Sequence, residues 1–318
     1  MFKTRSKAER EAARAEKKAL RYRKRHHGKA TKRLMKIKIS SGLYIAPSFI
    51  GVLIFFVIPF IVVIRYSLVD NPISGNFVFL DNYKRIIKNL SFQTAIKNTC
   101  MFSTIAVPLA VILSLLLAVV LEAKSPFKSQ FRTFFLSPLM VPVASIVLIW
   151  QVLFHYNGAV NDVLVALGGS KIDWMKSEYA QIVVIILFLW KNLGYNMILF
   201  MAALASIPKD VLEVARLESA TPLQTFFYIK ARYLSSTFLF VTIMSLISSF
   251  KVFREIYQLT GDHPVDTVYM LQHMMNSAFK SLDYQKLSAA AILMSLAMIV
   301  IIGTLFLIEN HFGKDVEG

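Results

Sequence analysis

Six runs of apolar residues dominate the chain, at about 43–66, 97–121, 134–154, 180–204, 234–252 and 287–308. A bilayer core of ~30 Å takes ~20 residues of helix, and every run falls in the spanning range. Composition agrees, with 56% hydrophobic residues, 25 Phe and a mean hydropathy of +0.55. A soluble domain rarely carries that much apolar surface. The expected fold is therefore an all-α membrane protein with six transmembrane helices. Its layout is a basic tail (1–42), a membrane domain (43–312) with a polar loop at 205–233, and a short tail (313–318).

Charge orients the helices. The net charge is +17, and sixteen Lys and Arg fall within residues 1–40. With the N-terminus inside, cytosolic segments carry 24 Lys and Arg against eight in the external loops, in keeping with the positive-inside rule. Both termini are then expected in the cytosol. The tail precedes a membrane span and has no aromatic platform beyond Tyr22, so it reads as topogenic, touching anionic headgroups, and not as a nucleic-acid site. Residues 7–25 suit a solvated helix. Their charge, and the lack of a small-residue cleavage site after the apolar run, do not suit a signal peptide. External acids, Glu255 and Asp262 among them, read as loop solvation.

Catalytic patterns are missing. There is no GxxxxGK[ST] phosphate loop, so nucleotide hydrolysis is not expected on this chain, and there is no HExxH or GxSxG. Cys100 stands alone within an apolar run, which excludes an intrachain disulfide, and no Cys/His spacing suits a metal. Prolines 47, 59, 108, 138 and 142 lie in the first three spans and are expected to bend them. Polar residues inside spans are costly unless they face a cavity or a partner. Trp190, Lys191, Asn192, Tyr195 and Asn196 cluster in the fourth span, Trp150 and Gln151 in the third, and Ser245, Ser248 and Ser249 in the fifth. Asn192, Tyr195 and Asn196 share one helix face at i, i+3, i+4 spacing. Aromatic rings stack on sugars and amides bond hydroxyls, so Trp150, Trp190, Asn192, Tyr195, Asn196 and Ser248 are candidate substrate contacts. An interfacial aromatic belt with interhelical hydrogen bonds is the alternative. Lys191 is the one charge well inside a span, with no acid near it in sequence.

The stretch 207–233 is polar, helical in pattern, and too long for a turn. Thr221 suits an N-cap and Pro222 a first helical position, so two short helices should meet at a bend over 219–222. Leu223, Phe226 and Phe227 should form one apolar face. Glu213, Val214 and Ala215, then Ser219 and Ala220, then Ile229, resemble the EAA loop of binding-protein-dependent ABC importer permeases. Val214 replaces that pattern's middle Ala, Ser219 its Gly, and Ala231 with Arg232 its Leu-Pro. Leu204, Ile207, Pro208 and Glu218 agree with it. The resemblance covers nearly all of 43–312. It runs through Phe92, Asn98 and Thr99, then Trp150, Phe154, Gly158 and Asn161, then Trp190, Gly194 and Tyr195. It ends on Phe253, Ile256, Tyr257, Leu259, Thr260, Gly261 and Pro264, with Ala278 and Phe279 later. His263 stands where the pattern has Gly. The nearest group is the carbohydrate permeases related to maltose and glycerol-3-phosphate systems.

That resemblance implies a type I ABC importer permease in a prokaryotic cytoplasmic membrane, with a cytosolic coupling hairpin between helices four and five. Its implied partners are a second homologous permease, two ATPase subunits that hold ATP and Mg, and an extracellular sugar-binding protein; no cofactor is expected on this chain. It also implies that Glu213, Ala215, Ser219, Ala220, Leu223, Phe226 and Phe227 meet the ATPase. An ion-coupled secondary transporter, a glycerol phosphate substrate in place of sugar, and a non-transporting scaffold or sensor are the other readings.

Overall fold

Regular structure among the described residues is helical throughout, apart from one isolated bridge between Val69 and Phe77. The computed structural model describes Lys18 and residues 44–122, 128–262 and 264–312. The expected tail helix at 7–25 (Lys18 excepted), His26, His27, His263, residues 123–127 of the loop after the second span and the tail 313–318 lie outside the described residues. The chain divides into two units, Met1–Val63 and Ile64–Gly318.

The first unit holds most of helix α1 (Tyr44–Ser67). Its apolar side chains are exposed, as for Phe55 and Phe56. A π-helical turn, Leu53–Val57, precedes Pro59. Proline offers no N–H to the carbonyl four residues back, and a local change of helical register is a common response.

In the second unit a short helix α2 (Asp81–Ile87) leads into α3 (Leu90–Glu122), which begins seven residues before the expected span. Pro108 does not break it. Its buried stripe is rich in small residues (Ala95, Ser103, Ala106, Ala110, Ser114, Ala118), which lets neighbouring backbones come close. Against it lies α7 (Ala180–Ala205). Asn98 donates to the carbonyls of Asp266 and Tyr269, and Thr99 Oγ1 accepts the Leu271 N–H at 2.9 Å, so this pair pins the distant 266–271 turn onto α3.

The third apolar run is not one straight span. It forms α4 (Lys128–Met140) and α5 (Val143–Leu153), bent by 103° where they meet. Pro142 caps α5 at φ −57°, ψ 139°, outside the helical region, and disfavours helical geometry at the residue before it. Among the described residues, five helices are long and apolar enough to span a membrane, or six if this bent pair counts as one. After α5, helix α6 (Ala159–Ala166) belongs to a loop organised by buried Asn161. Its amide donates to the carbonyls of Tyr156 and Ile172, and its oxygen accepts from Ile172 N and Trp174 Nε1 at 3.0–3.1 Å.

The polar stretch folds as α8 (Lys209–Leu217) and α9 (222–233), the latter π-helical over Thr225–Lys230. The fifth span, α10 (Ser235–Thr260), runs eight residues beyond its expected end, loosening into a turn at 251–252. Hydrogen bonds join it to its neighbours, among them Ser103 with Ser249 at 2.8 Å and Asn196 to Ser245 at 2.9 Å. Helices α11 (Leu271–Lys280) and α12 (Tyr284–Phe312) complete the unit. On α11 the buried His273 accepts the Met270 N–H and sits edge-on to Phe253. Burial pushes its pKa down to about 4, so it packs as a neutral ring.

Candidate functional site

Helix α8 has Asp210 in its first turn and Arg216 in its last, each suited to its end of the helix dipole. It closes in a Schellman motif: Ala220 N–H donates to Ala215 O and Ser219 N–H to Arg216 O, both at 3.0 Å. That motif puts Ser219 at φ +58°, in the left-handed region where glycine is favoured. The turn then meets the expected cap. Thr221 N–H donates to Gln224 Oε1 at 2.8 Å, Gln224 N–H donates back to Thr221 Oγ1, and Pro222 takes the first position. Ser219→Gly should stabilise the turn by roughly 0.5–1 kcal/mol, the left-handed penalty of ~1–2 kcal/mol less the extra chain entropy of glycine, ~0.4–1 kcal/mol. Amide exchange across 209–224 should slow by about two- to five-fold; unchanged exchange would show that the turn is unstrained.

Glu213 is exposed and Ala215 is buried under the turn. Leu217, Leu223, Phe227 and Tyr228 form an exposed apolar crest. The expected single face of Leu223, Phe226 and Phe227 is split, because the π-helical stretch changes the register: Phe226 packs against the core cluster that includes Leu234, while Leu223 and Phe227 stay outside. Val211, Val214, Ala215, Ala220, Tyr228 and Ile229 line a hollow of about 530 Å³ between the two helices. Lys230 Nζ meets Glu122 Oε2 at 2.6 Å, with both side chains largely covered, so the hairpin is tied to the end of α3.

A second cavity, of about 730 Å³, opens between α5, α7, α10 and α11. Lys191, Asn192, Ser248, Lys251, Arg254 and Glu255 supply much of its polar wall. Lys191 is not alone: Glu255 accepts its ammonium in an ion pair, with the carboxylate 8% and the lysine 24% exposed. The apolar run ends at residue 252, which places Glu255 in an external loop, but the helix continues through it to Thr260. Acid and base lie 64 residues apart, a separation that no local spacing reveals.

Of the six candidate substrate contacts, Asn192 and Ser248 line this cavity and the other four do not. Trp150 is buried, stacked on Phe154 at 5.1 Å between ring centroids. Trp190 packs beside that pair, and Asn196 is buried with Ser245. Tyr195 is exposed, away from the cavity lining. Outside the spans, Lys280 pairs with Asp262 and donates to Tyr257, and these partners raise its pKa.

The chain is similar to several known proteins. It is 28% identical over 268 residues to the sn-glycerol-3-phosphate transport system permease protein UgpA of Escherichia coli O6:K15:H31 (81% of this chain, 90% of the relative). It is 26% identical to the lactose transport system permease protein LacF of Rhizobium radiobacter (76% and 84%). In structure it resembles a bacterial ABC transporter involved in the import of the acidic polysaccharide alginate, with a TM-score of 0.76 at 22% identity, covering 90% of this chain and all of that one. Residues 99–318 match the family described as binding-protein-dependent transport system inner membrane component, and the chain belongs to that family.

Proposed function

We propose that this chain is one of the two permease subunits of an ATP-driven importer that moves a carbohydrate, an oligosaccharide in the first instance, across the cytoplasmic membrane of a prokaryote. The observation that carries the reading is the α8–α9 hairpin, which shows an apolar crest and a hollow while an ion pair ties its far end to α3. Such a surface, placed between two membrane helices, suits a rigid lever gripped by a water-soluble partner. Separate ATPase subunits, holding ATP and Mg, would grip it on the cytosolic side, where both termini also lie. Glu213 would make polar contacts at the rim, and Ala215, Ser219 and Ala220 would shape the turn that presents Leu223 and Phe227. Phe226 would transmit motion into the core against which it packs. A second homologous permease would complete the pathway, and an extracellular binding protein would deliver the sugar. Names of relatives support a sugar or a glycerol phosphate as cargo, and one solved relative was captured with an alginate pentasaccharide-bound periplasmic protein.

Asn192 and Ser248, which line the cavity, would bond hydroxyls of the cargo. Ion-coupled transport has one observation in its favour, the buried Lys191–Glu255 pair, since secondary transporters keep such charges mid-membrane. Uptake into membrane vesicles separates the two. The importer needs ATP and a binding protein, whereas uptake driven by an ion gradient without ATP would establish the other mechanism. Glu213→Ala should leave thermal stability within about 0.5 kcal/mol, as for other exposed substitutions. It should lower ATP-driven uptake by roughly ten-fold, the value of one hydrogen bond to a charged group. Unchanged uptake would remove Glu213 from the coupling surface.

A further inference from the structure

We infer that the 730 Å³ cavity selects an anionic substrate, a sugar bearing carboxylate, sulfate or phosphate, held by Lys251 and Arg254. This rests on the permease reading above and narrows its cargo. The lining carries three cations, Lys191, Lys251 and Arg254, and one acid, Glu255. Glu255 is taken up by Lys191. Among the described residues no ion pair or hydrogen bond engages the Lys251 ammonium or the Arg254 guanidinium.

An unmatched cation in a membrane helix is costly, ~2.5–3.5 kcal/mol at the centre on insertion scales, and such charges mark substrate pathways. Lys191 is the twelfth residue of the 26-residue α7, well inside that span, while Lys251 and Arg254 are exposed side chains at and just beyond the turn at 251–252, where the apolar part of α10 gives way to its polar end. A neutral sugar would need only groups such as Asn192, Ser248, Gln258 and Gln272, which line the same cavity. Two further positive charges beside them favour an anion: Arg254 offers a planar fork that fits a carboxylate or phosphate at two points, and Lys251 adds a compact charge. The fixed Lys191–Glu255 pair then forms one wall and does not compete for the ligand.

The test uses the full chain co-expressed with its neighbouring permease and ATPase, in zwitterionic phosphatidylcholine nanodiscs. Binding is read by tryptophan fluorescence with trigalacturonate, glucose 6-phosphate and neutral maltotriose. At least one anionic probe should bind about ten-fold or more tighter than maltotriose, and each charge-removing change, Lys251→Gln or Arg254→Gln, should weaken it by roughly ten-fold. The charge-keeping Lys251→Arg should retain most of the binding. Preference for maltotriose, no binding of either anion, or anion binding that survives Lys251→Gln/Arg254→Gln would overturn the inference. So would loss of the second permease from that double variant, which would assign both cations to the subunit interface, or binding abolished by phosphatidylglycerol, which would assign them to lipid headgroups. A complex that keeps its ATPase yet prefers the neutral sugar refutes only the charge selectivity; one that carries no ATPase refutes the permease reading itself.

Discussion

Lys191→Met should destabilise the folded protein by about 3–5 kcal/mol, because it strands the Glu255 carboxylate without its partner. Burial sets the order of effects across the pair. Glu255 is 8% exposed and has little water to turn to, whereas Lys191 is 24% exposed and opens into the cavity. Glu255→Gln should therefore cost less, about 2 kcal/mol, since the remaining ammonium keeps some solvent. Lys191→Met/Glu255→Gln removes both charges and should recover most of the loss, to within about 2 kcal/mol of the parent, because an uncharged pair does not bear the ionic desolvation cost and only the glutamine amide is left to satisfy. Thermal unfolding of the purified complex, read as a double-mutant cycle, checks all three values. Additive losses would mean that the two side chains do not interact, and a harmless Lys191→Met would mean that the carboxylate has another partner.

Gly194→Ala should be the second large effect. A Cβ at this position would lie 1.8 Å from the Phe135 carbonyl oxygen and 2.5 Å from its carbon. Both atoms are backbone, so no side chain can swing aside, and α4 and α7 would have to part by more than an ångström. Overpacking typically costs ~1–3 kcal/mol, and a clash with rigid backbone belongs at or above the top of that range. Gly303 on α12 is the control, because nothing lies within 4 Å of its added Cβ. Gly303→Ala should be neutral or gain up to ~1 kcal/mol from helix propensity. Equal melting temperatures for the two variants would show that α4 and α7 do not approach so closely.

The spans were legible because apolar run length responds directly to bilayer thickness. Their interruptions were less so. Pro138 and Pro142 announce a bend in the third run, yet the 103° turn comes at Pro142 alone, while Pro108 sits in an unbroken α3. A missing N–H leaves a helix several responses, and tertiary packing chooses among them. The cap at Thr221 and Pro222 was readable to the residue because it depends on local hydrogen bonds. The face beyond it was not, since the π-helical stretch moves Phe226 away from Leu223 and Phe227.

The candidate substrate contacts divide between the cavity wall and helix packing. Trp150 and Asn196 have the chemistry of sugar binding, but helix packing uses both, one against Phe154 and one with Ser245. Glu255 was hidden for the converse reason. Arg254, Glu255, Gln258 and their apolar neighbours read as a loop, because an amphipathic end to a span lowers its average hydropathy. Several residues that carried the family resemblance turn out to be structural. Gly194 lets two helices touch, Asn161 ties a loop, and Asn98 with Thr99 pins a distant turn.

The most direct test of the coupling hairpin is affinity purification of this chain from membranes in which its neighbouring transport proteins are co-expressed, with the ATPase subunit quantified by mass spectrometry. The parent chain should bring down both a second permease and an ATPase. Leu223→Asp/Phe227→Asp, which charges the exposed crest, should release the ATPase and keep the second permease. An ATPase that never co-purifies, or one that stays equally bound to the charged variant, would contradict the assignment of α8 and α9 as the coupling surface.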